Sequence, residues 1–324
     1  MIPTPLATLT ARATRFTLTT VLGITLLAGC GGGTSQVDAF VPDRILNFGD
    51  ELSLLTADGK KYGTNFVDDT NVLKCLSSPI WIQTLAARYA MVHPQCNPDN
   101  SANTKARTLA VNGATVDGLA TQIQGFLAGD SIQGQDLVTV LIGMHDILDA
   151  YASYPTESEA VLTARLQAAG TRAAAQVNAL AAAGARVLVS TAPDVGLTPF
   201  ALAENTLHGD GRSALITRLT NAFNRSMRLE LTNDGSRIGL LLMDDLLRSM
   251  VRVPAYYGIV DIKTPVCAAT VSLPDCSNKT LIPADTEPTP TIVSYLWADA
   301  TRPAATIHTQ LGAQAVTRAA NNPF

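Results

Sequence analysis

The chain has 324 residues, of which 47% are apolar and 15% are charged, and this supplies enough apolar material for a packed core. The composition therefore excludes a largely disordered chain. The 23 Lys and Arg residues are outnumbered by 27 Asp and Glu residues, and no basic cluster occurs in the sequence. Because nucleic-acid-binding proteins neutralise phosphates with clustered cations, a nucleic-acid partner is excluded.

The N-terminal segment 1–29 has the layout of a lipoprotein signal peptide. Arg12 and Arg15 precede an apolar run, Phe16–Ala28, and the segment contains no acidic residue. The run is shorter than the ~20 residues that a membrane-spanning helix needs. It ends in Leu26-Leu27-Ala28-Gly29-Cys30, which resembles a bacterial lipobox. This resemblance implies export, cleavage before the cysteine and lipidation of its thiol.

The residues that follow predict a tethered protein of the bacterial cell envelope. Lipidated Cys30 would anchor the chain to a membrane, and residues 30–40 would form a flexible tether because they begin with a Gly, Thr and Ser-rich stretch. Gly31, rather than an aspartate, follows Cys30. By analogy with lipoprotein sorting, we expect the outer membrane rather than the inner one.

Cysteine usage also favours an exported protein. Four cysteines follow Cys30, and four cysteines allow three pairings. We favour Cys75–Cys96 and Cys267–Cys276, because the partners of each pair lie in the same segment outside the predicted core. Structural zinc sites are the alternative, but no Cys-x-x-Cys spacing occurs in the sequence. Disulfides in an oxidising compartment are therefore expected.

Strand-like and helix-like segments alternate along the rest of the chain, which we assign to one domain, 41–324. Continuous apolar runs that suit buried parallel strands occur at 44–48, 109–111, 137–142, 186–190 and 238–243. Helical patterns occur at 79–89, 116–127, 156–183, 213–231 and 303–320. This alternation predicts an α/β fold with a doubly wound, five-stranded parallel sheet. Two segments, at about 57–107 and 254–291, interrupt the pattern and are expected to be loop insertions.

Four short motifs follow predicted strands, where ligands bind in doubly wound sheets, and a fifth leads into the last predicted helix. In order, these motifs are Asn47-Phe48-Gly49-Asp50-Glu51-Leu52-Ser53, Ala110-Val111-Asn112-Gly113-Ala114-Thr115, Ile142-Gly143-Met144-His145-Asp146-Ile147-Leu148, Ala192-Pro193-Asp194-Val195-Gly196-Leu197-Thr198-Pro199 and Trp297-Ala298-Asp299-Ala300-Thr301-Arg302-Pro303. Together they resemble the conserved blocks of the GDSL (SGNH) hydrolases, in the lipase/esterase-like branch. The resemblance implies a flavodoxin-like three-layer sandwich and an ester hydrolase site.

The resemblance also implies a role for five positions, three of which are substituted. Glu51 stands where the family has its nucleophilic serine, His145 replaces the oxyanion asparagine, and Arg302 replaces the catalytic histidine. Gly113, an oxyanion donor, and Asp299 keep the family's residues. Losing the nucleophile or the base of such a triad lowers the rate by about 10⁶. We therefore expect this member to be degenerate as a serine esterase.

Two interpretations of the substituted site are open. In the first, Glu51 and Asp299 flank Arg302 as an ion triad, and the cleft is kept for binding an acyl, glycan or cell-wall ligand or for a structural role. In the second, the chain is an active ester hydrolase that uses Glu51 as general base, with Gly113 and His145 as oxyanion donors. The second requires that Arg302 does not immobilise Glu51.

Other residues in or near the motifs are weaker candidates for a catalytic or metal-binding role. Ser53 is a poor candidate for a displaced nucleophile, because it points away from Glu51 on the turn that begins there. His308 is expected to pack against the last helix. Glu51, His145 and Asp299 have side chains that suit a divalent metal, but the adjacent guanidinium opposes a cation. We expect neither a metal nor another cofactor.

Overall fold

A computed structural model describes residues 40–209 and 211–321 of the protein. The predicted signal peptide 1–29, the predicted lipidation site Cys30 and the tether up to residue 39 lie outside the described residues. Within the part of the chain that is described, no helix combines the length and the apolarity needed to cross a bilayer.

Five parallel strands form the central sheet in the order β2-β1-β3-β4-β5. Their bounds are β1 Arg44–Gly49, β2 Ala106–Thr108, β3 Asp136–Leu141, β4 Arg186–Ser190 and β5 Ile238–Leu241. A strand order that steps outward in both directions from β1 is the doubly wound arrangement that the sequence predicts. The α/β fold with a five-stranded parallel sheet is confirmed.

The position predicted for the second strand, 109–111, is wrong. Strand β2 lies three residues earlier and has the sequence Ala-Arg-Thr, paired with β1 from Ile45↔Ala106 onward. An edge strand has a neighbour on one side only and can be short and polar. The search for continuous apolar runs therefore did not reveal β2. The apolar segment after β2 still runs beside β1, where the Leu109 and Val111 N–H groups donate to the carbonyl oxygens of Asn47 and Gly49 at 2.7 and 3.0 Å, but it is not part of the strand, and 52% of the surface of Val111 is exposed.

Eight helices occur in the described residues and cover both faces of the sheet. Their bounds are α1 Trp81–Arg88, α2 Val116–Leu127, α3 Met144–Ala152, α4 Glu159–Ala182, α5 Pro199–His208, α6 Arg212–Glu230, α7 Met243–Arg252 and α8 Ala305–Ala320. Buried side chains of α2, α3, α4 and α6 pack on one face, and those of α1, α7 and α8 pack on the other. Residues of β1 alternate between these cores, with Leu46 and Phe48 in the first and Ile45 in the second. The result is a three-layer sandwich.

Three helices and a small sheet were not predicted from the sequence. Helix α3 begins three residues after β3, and helix α7 begins at Met243, inside the apolar run assigned to the fifth strand. A continuous apolar run does not mark where a strand ends and a buried helix begins, because both bury the same side chains. Strands β6 Asp261–Pro265 and β7 Tyr295–Trp297 form a separate two-stranded parallel sheet.

The two segments expected to be loops contain regular structure and two disulfides. Helix α1, which the helical pattern at 79–89 predicts, lies in 57–107, strand β2 begins at its end, and strand β6 lies in 254–291. The predicted disulfides Cys75–Cys96 and Cys267–Cys276 are both present. The side chain of Asn65 joins the segments, because its Nδ2 donates to the carbonyl oxygen of Pro274 at 2.8 Å and to that of Cys276 at 3.1 Å.

Two glycines in helices test how closely the outer layer packs. A Cβ added to Gly170 in α4 would lie 2.4 Å from the carbonyl oxygen of Phe223 in α6, whereas a Cβ on Gly125 in α2 would meet nothing within 4 Å. Gly170→Ala is expected to lower the free energy of unfolding by ~1–3 kcal/mol through overpacking. Gly125→Ala is expected to raise it by up to ~1 kcal/mol through helix propensity. Chemical denaturation measures both, and changes of equal sign would contradict this packing.

Candidate functional site

The five positions identified in the sequence lie at the carboxyl edge of the central sheet. Glu51 lies two residues after the end of β1, Gly113 lies in the turn between β2 and α2, and His145 is in the first turn of α3. Asp299 and Arg302 lie in the loop between β7 and α8. The carboxyl edge is where parallel α/β sheets bind their ligands. The fold therefore brings these side chains together from four separate loops.

The local chain geometry fixes the position of Glu51. Gly49 ends β1 with a φ of +131°, and a Cβ at this residue would lie 1.9 Å from the carbonyl oxygen of Leu141 in β3. Only glycine is therefore tolerated where the chain turns out of the sheet. A short 3₁₀ turn, Glu51–Ser53, follows, and Asp50 caps it by accepting the Leu52 N–H at 3.0 Å.

Three donors surround the Glu51 carboxylate. Arg302 Nε donates to Glu51 Oε1 at 2.6 Å, and the Gly113 backbone N–H donates to Oε2 at 3.0 Å. His145 Nε2 lies 2.9 Å from both oxygens. Because an ionised carboxylate only accepts hydrogen bonds, Nε2 of His145 carries the proton in this contact. Both carboxylate oxygens are thus engaged.

Arg302 lies between two carboxylates. Its Nη1 donates to Asp299 Oδ2 at 2.8 Å while Nε donates to Glu51. Asp299 Oδ1 in turn accepts the backbone N–H groups of Thr301 at 2.9 Å and Arg302 at 2.6 Å, so the loop itself positions the guanidinium. Tyr62 adds a cation–π contact, with its ring centre 5.9 Å from the Arg302 guanidinium carbon. Sequence reasoning missed Tyr62, because its segment carries no periodic pattern.

Burial and charge set the ionisation of this cluster of Glu51, His145, Asp299 and Arg302. The Glu51 side chain is inaccessible, whereas 17% of the His145 side chain and 21% of the Arg302 side chain are exposed. Burial alone would raise the pKa of Glu51, but the hydrogen bond and charge of His145 and the charge of Arg302 lower it to about 2. Burial would lower the pKa of His145, but its contacts with Glu51 raise it above the ordinary value.

The arrangement holds a permanent anion between a guanidinium and an imidazole. Arginine stays protonated at any working pH and does not accept a proton from an attacking group. Glu51 is a weak base, since its pKa is held at about 2. No group of three His, Cys, Asp or Glu residues is arranged to hold a metal ion in the described ranges 40–209 and 211–321. The cluster is chemically an ion network.

The remaining candidates lie in the protein interior. Ser53 is fully buried, and its Oγ has no hydrogen-bond partner among the described residues. His308 lies in α8 with 2% of its surface exposed, and burial lowers its pKa to about 3. Neither side chain is accessible to a substrate. Asp146, next to His145, caps α2 by accepting the Val116 N–H at 3.0 Å.

An open groove begins at Gly113 and runs along α2. It has a volume of about 810 Å³, and Leu109, Val111, Gly118 and Phe126 contribute to its walls. A cavity of this size is within the range of ~300–1,000 Å³ for small-molecule sites. The Glu51 cluster therefore adjoins a cleft that remains open to a ligand.

The opposite pKa shifts of Glu51 and His145 predict a pH window. A carboxylate whose pKa falls from 4.5 to about 2 on folding stabilises the fold above pH 4.5, and this contribution is lost as the pH falls towards 2. An imidazole whose pKa rises above 6.5 on folding stabilises the fold below pH 6.5, and this contribution is lost as the pH rises through the folded pKa. The cluster is therefore most stabilising between pH 4.5 and 6.5.

Glu51→Gln tests this window. Near pH ~5.5 the variant is expected to lower the free energy of unfolding by ~3 kcal/mol, because it leaves Arg302 and His145 without their anion. The matched control is Glu159→Gln, which makes the same change in the exposed pair with Arg218 and is expected to cost less than ~1 kcal/mol. Urea denaturation between pH ~3 and ~8 measures both, and equal effects would contradict the network.

Comparisons with known proteins identify a family whose model matches this chain. The family described as GDSL-like Lipase/Acylhydrolase matches residues 45–238. One similar structure is a lipolytic G-D-S-L family member from Veillonella parvula, with 10% identity, 85% of this chain and 96% of that chain covered, and a TM-score of 0.41. Another is a putative GDSL-like lipase from Parabacteroides merdae, with 12% identity, 87% and 99% covered, and a TM-score of 0.44. No curated protein matches the chain. Since the family match spans more than half of the sequence and contains the first three site positions, the chain belongs to the GDSL-like lipase/acylhydrolase family.

Proposed function

We propose that this family member is an exported, lipid-anchored envelope protein that has lost serine ester hydrolysis and uses its cleft to bind a ligand. One observation is the main support for the proposed loss of hydrolysis. The Glu51 carboxylate accepts from the Gly113 N–H at 3.0 Å and from His145 Nε2 at 2.9 Å. These two donors occupy the positions that, by family resemblance, stabilise the oxyanion of a reacting ester. Glu51 thus fills the hole with its own negative charge.

Glu51 occupies the oxyanion hole, and its negative charge also disfavours the oxyanion that forms during ester hydrolysis. A substrate oxyanion about 4 Å from the carboxylate would be repelled by ~4 kcal/mol at an effective dielectric of ~20, roughly a thousandfold in rate. Arg302 supplies no base to replace the family's histidine. Both the electrostatic stabilisation and the proton transfer of the family's mechanism are therefore missing.

The geometry does not favour the alternative of a rewired hydrolase with Glu51 as general base. An efficient base near neutral pH has a pKa close to 7, whereas that of Glu51 is about 2. The Arg302 Nε–Glu51 Oε1 distance of 2.6 Å also shows that the guanidinium holds the carboxylate. The condition on which this alternative depended, a Glu51 free of Arg302, is not met.

Ester turnover tests the proposal. Wild-type protein is expected to hydrolyse p-nitrophenyl butyrate no faster than buffer and to resist labelling by a fluorophosphonate probe, because it has no activated hydroxyl. Turnover by the wild type that disappears in Glu51→Gln and persists in the exposed control Glu159→Gln would contradict it. The triple variant Glu51→Ser, His145→Asn, Arg302→His restores the family's residues and is expected to gain both turnover and labelling. A folded triple variant without either would contradict the assignment of these positions.

Lipid anchoring rests on Leu26-Leu27-Ala28-Gly29-Cys30 and the basic residues that precede it. In bacterial cells, wild-type protein is expected to incorporate labelled palmitate and to sediment with outer membranes. Cys30→Ser is expected to lose the label and the membrane association, because it removes the acceptor thiol. The control is Cys267→Ser, whose residue lies in a disulfide of the globular domain and should keep the label. Labelling that survives in Cys30→Ser would contradict the proposed anchor.

A further inference from the structure

A second groove lies between α3 and α5, beside the Glu51 cluster on the β4 side of the sheet. It has a volume of about 530 Å³, and this α3–α5 groove is defined by Leu148, Tyr151, Tyr154, Phe200, Glu204 and Thr301. Leu148 lies three residues after His145 in the same helix and so shares its face. Thr301 directly precedes Arg302 in the chain. The groove is therefore continuous with elements that form the cluster.

One wall of the groove is aromatic. The rings of Tyr151 and Tyr154 are nearly parallel, at 16°, with centres 6.4 Å apart. The Phe200 ring stands edge-on to Tyr151 at 87° and 5.9 Å. Tyr154 and Phe200 are only half-buried, whereas Tyr151 is 5% exposed and contacts both of these rings. The Arg212 guanidinium lies over the Tyr154 ring, 4.5 Å from its centre. Phe200 is therefore the partly exposed ring of this wall that is left to contact a ligand.

A polar acceptor lies beside these rings. Glu204 Oε2 accepts the Tyr151 hydroxyl at 2.7 Å and lies 3.7 Å from His208 Nε2. An ionised carboxylate has about four acceptor positions, so Glu204 retains acceptors for a ligand's hydroxyl groups. Thr301 lines the same groove. The groove thus combines a partly exposed aromatic ring with a carboxylate that can accept hydrogen bonds.

We propose that the α3–α5 groove is a carbohydrate subsite that takes pyranose rings. This inference rests on the proposed function, because it assigns a ligand class to a second groove beside the Glu51 cluster, separate from the groove along α2. A pyranose has a face of C–H groups that suits an aromatic ring and hydroxyls around its edge that suit a carboxylate and a threonine. An acyl chain would remove water from Glu204 without replacing its hydrogen bonds. A cationic ligand is disfavoured because the Arg212 guanidinium already lies 4.5 Å from the centre of the Tyr154 ring.

Isothermal titration calorimetry of the purified full-length protein tests the subsite with three probes, cellotetraose, chitotetraose and maltotetraose. At least one is expected to bind with 1:1 stoichiometry. Phe200→Leu keeps apolar bulk but removes the ring, and it is expected to weaken that binding about tenfold, or ~1.4 kcal/mol. Phe200→Tyr keeps the ring and is expected to retain the wild-type affinity. The control Leu207→Ala changes an α5 residue that is 71% exposed and does not line the groove, and it should bind as the wild type does.

Each contrary result has a separate meaning. Absence of binding by all three tetrasaccharides to folded wild-type protein would overturn the subsite, as would equal affinities of Phe200→Leu and Phe200→Tyr. Saturable binding of decanoate that Phe200→Leu leaves unchanged, without tetrasaccharide binding, would overturn it in favour of an acyl ligand. Hydrolysis of p-nitrophenyl butyrate by the wild type would instead overturn the proposed loss of hydrolysis, and it leaves the calorimetric result unaffected.

Discussion

The interaction on which the site depends is the burial of the Glu51 carboxylate. An anion removed from water is tolerated only when charge and hydrogen bonds replace its hydration, and here Arg302, His145 and the Gly113 N–H supply them. Each donor comes from a different loop, and Asp299 holds Arg302 in turn. The carboxylate therefore joins the loops after β1, β2, β3 and β7. The family resemblance implies a neutral serine hydroxyl at the position that Glu51 occupies here.

The substitutions at the site concern its chemistry and leave the residues that determine the fold unchanged. The sheet with its order β2-β1-β3-β4-β5 and its two helical layers depend on many apolar side chains, and Glu51, His145 and Arg302 are not among them. By the family resemblance, ester hydrolysis at these positions needs a nucleophile, a base and an unoccupied oxyanion hole, and the proposed function is that the three substitutions remove them. The family's fold is thus present around a charge network, with open grooves along α2 and between α3 and α5.

Sequence reasoning was accurate where long buried segments carry the information. Strands β1, β3 and β4 and the long helices α4 and α6 lie close to their predicted positions, because continuous apolar runs and helical periodicity mark buried elements directly. It failed at β2, an edge strand with one buried residue. It also failed at α7. This helix begins two residues after the end of β5, and its first residue belongs to the same apolar run as the strand. The missing information in both cases was the position of the segment relative to its neighbours.

The sequence by itself identified the groups that meet at the site, because its motifs resemble the family's blocks at Glu51, Gly113, His145, Asp299 and Arg302. It also identified Glu51 and Arg302 at the positions where that resemblance implies a serine and a histidine. Only the tertiary structure decided that Gly113 and His145 donate to Glu51 instead of facing an open hole. The reason is physical: hydrogen bonds depend on distances of tenths of an ångström, and Glu51 and Arg302 are 251 residues apart in the chain. Such distances are set by the packing of whole layers, which no local pattern encodes.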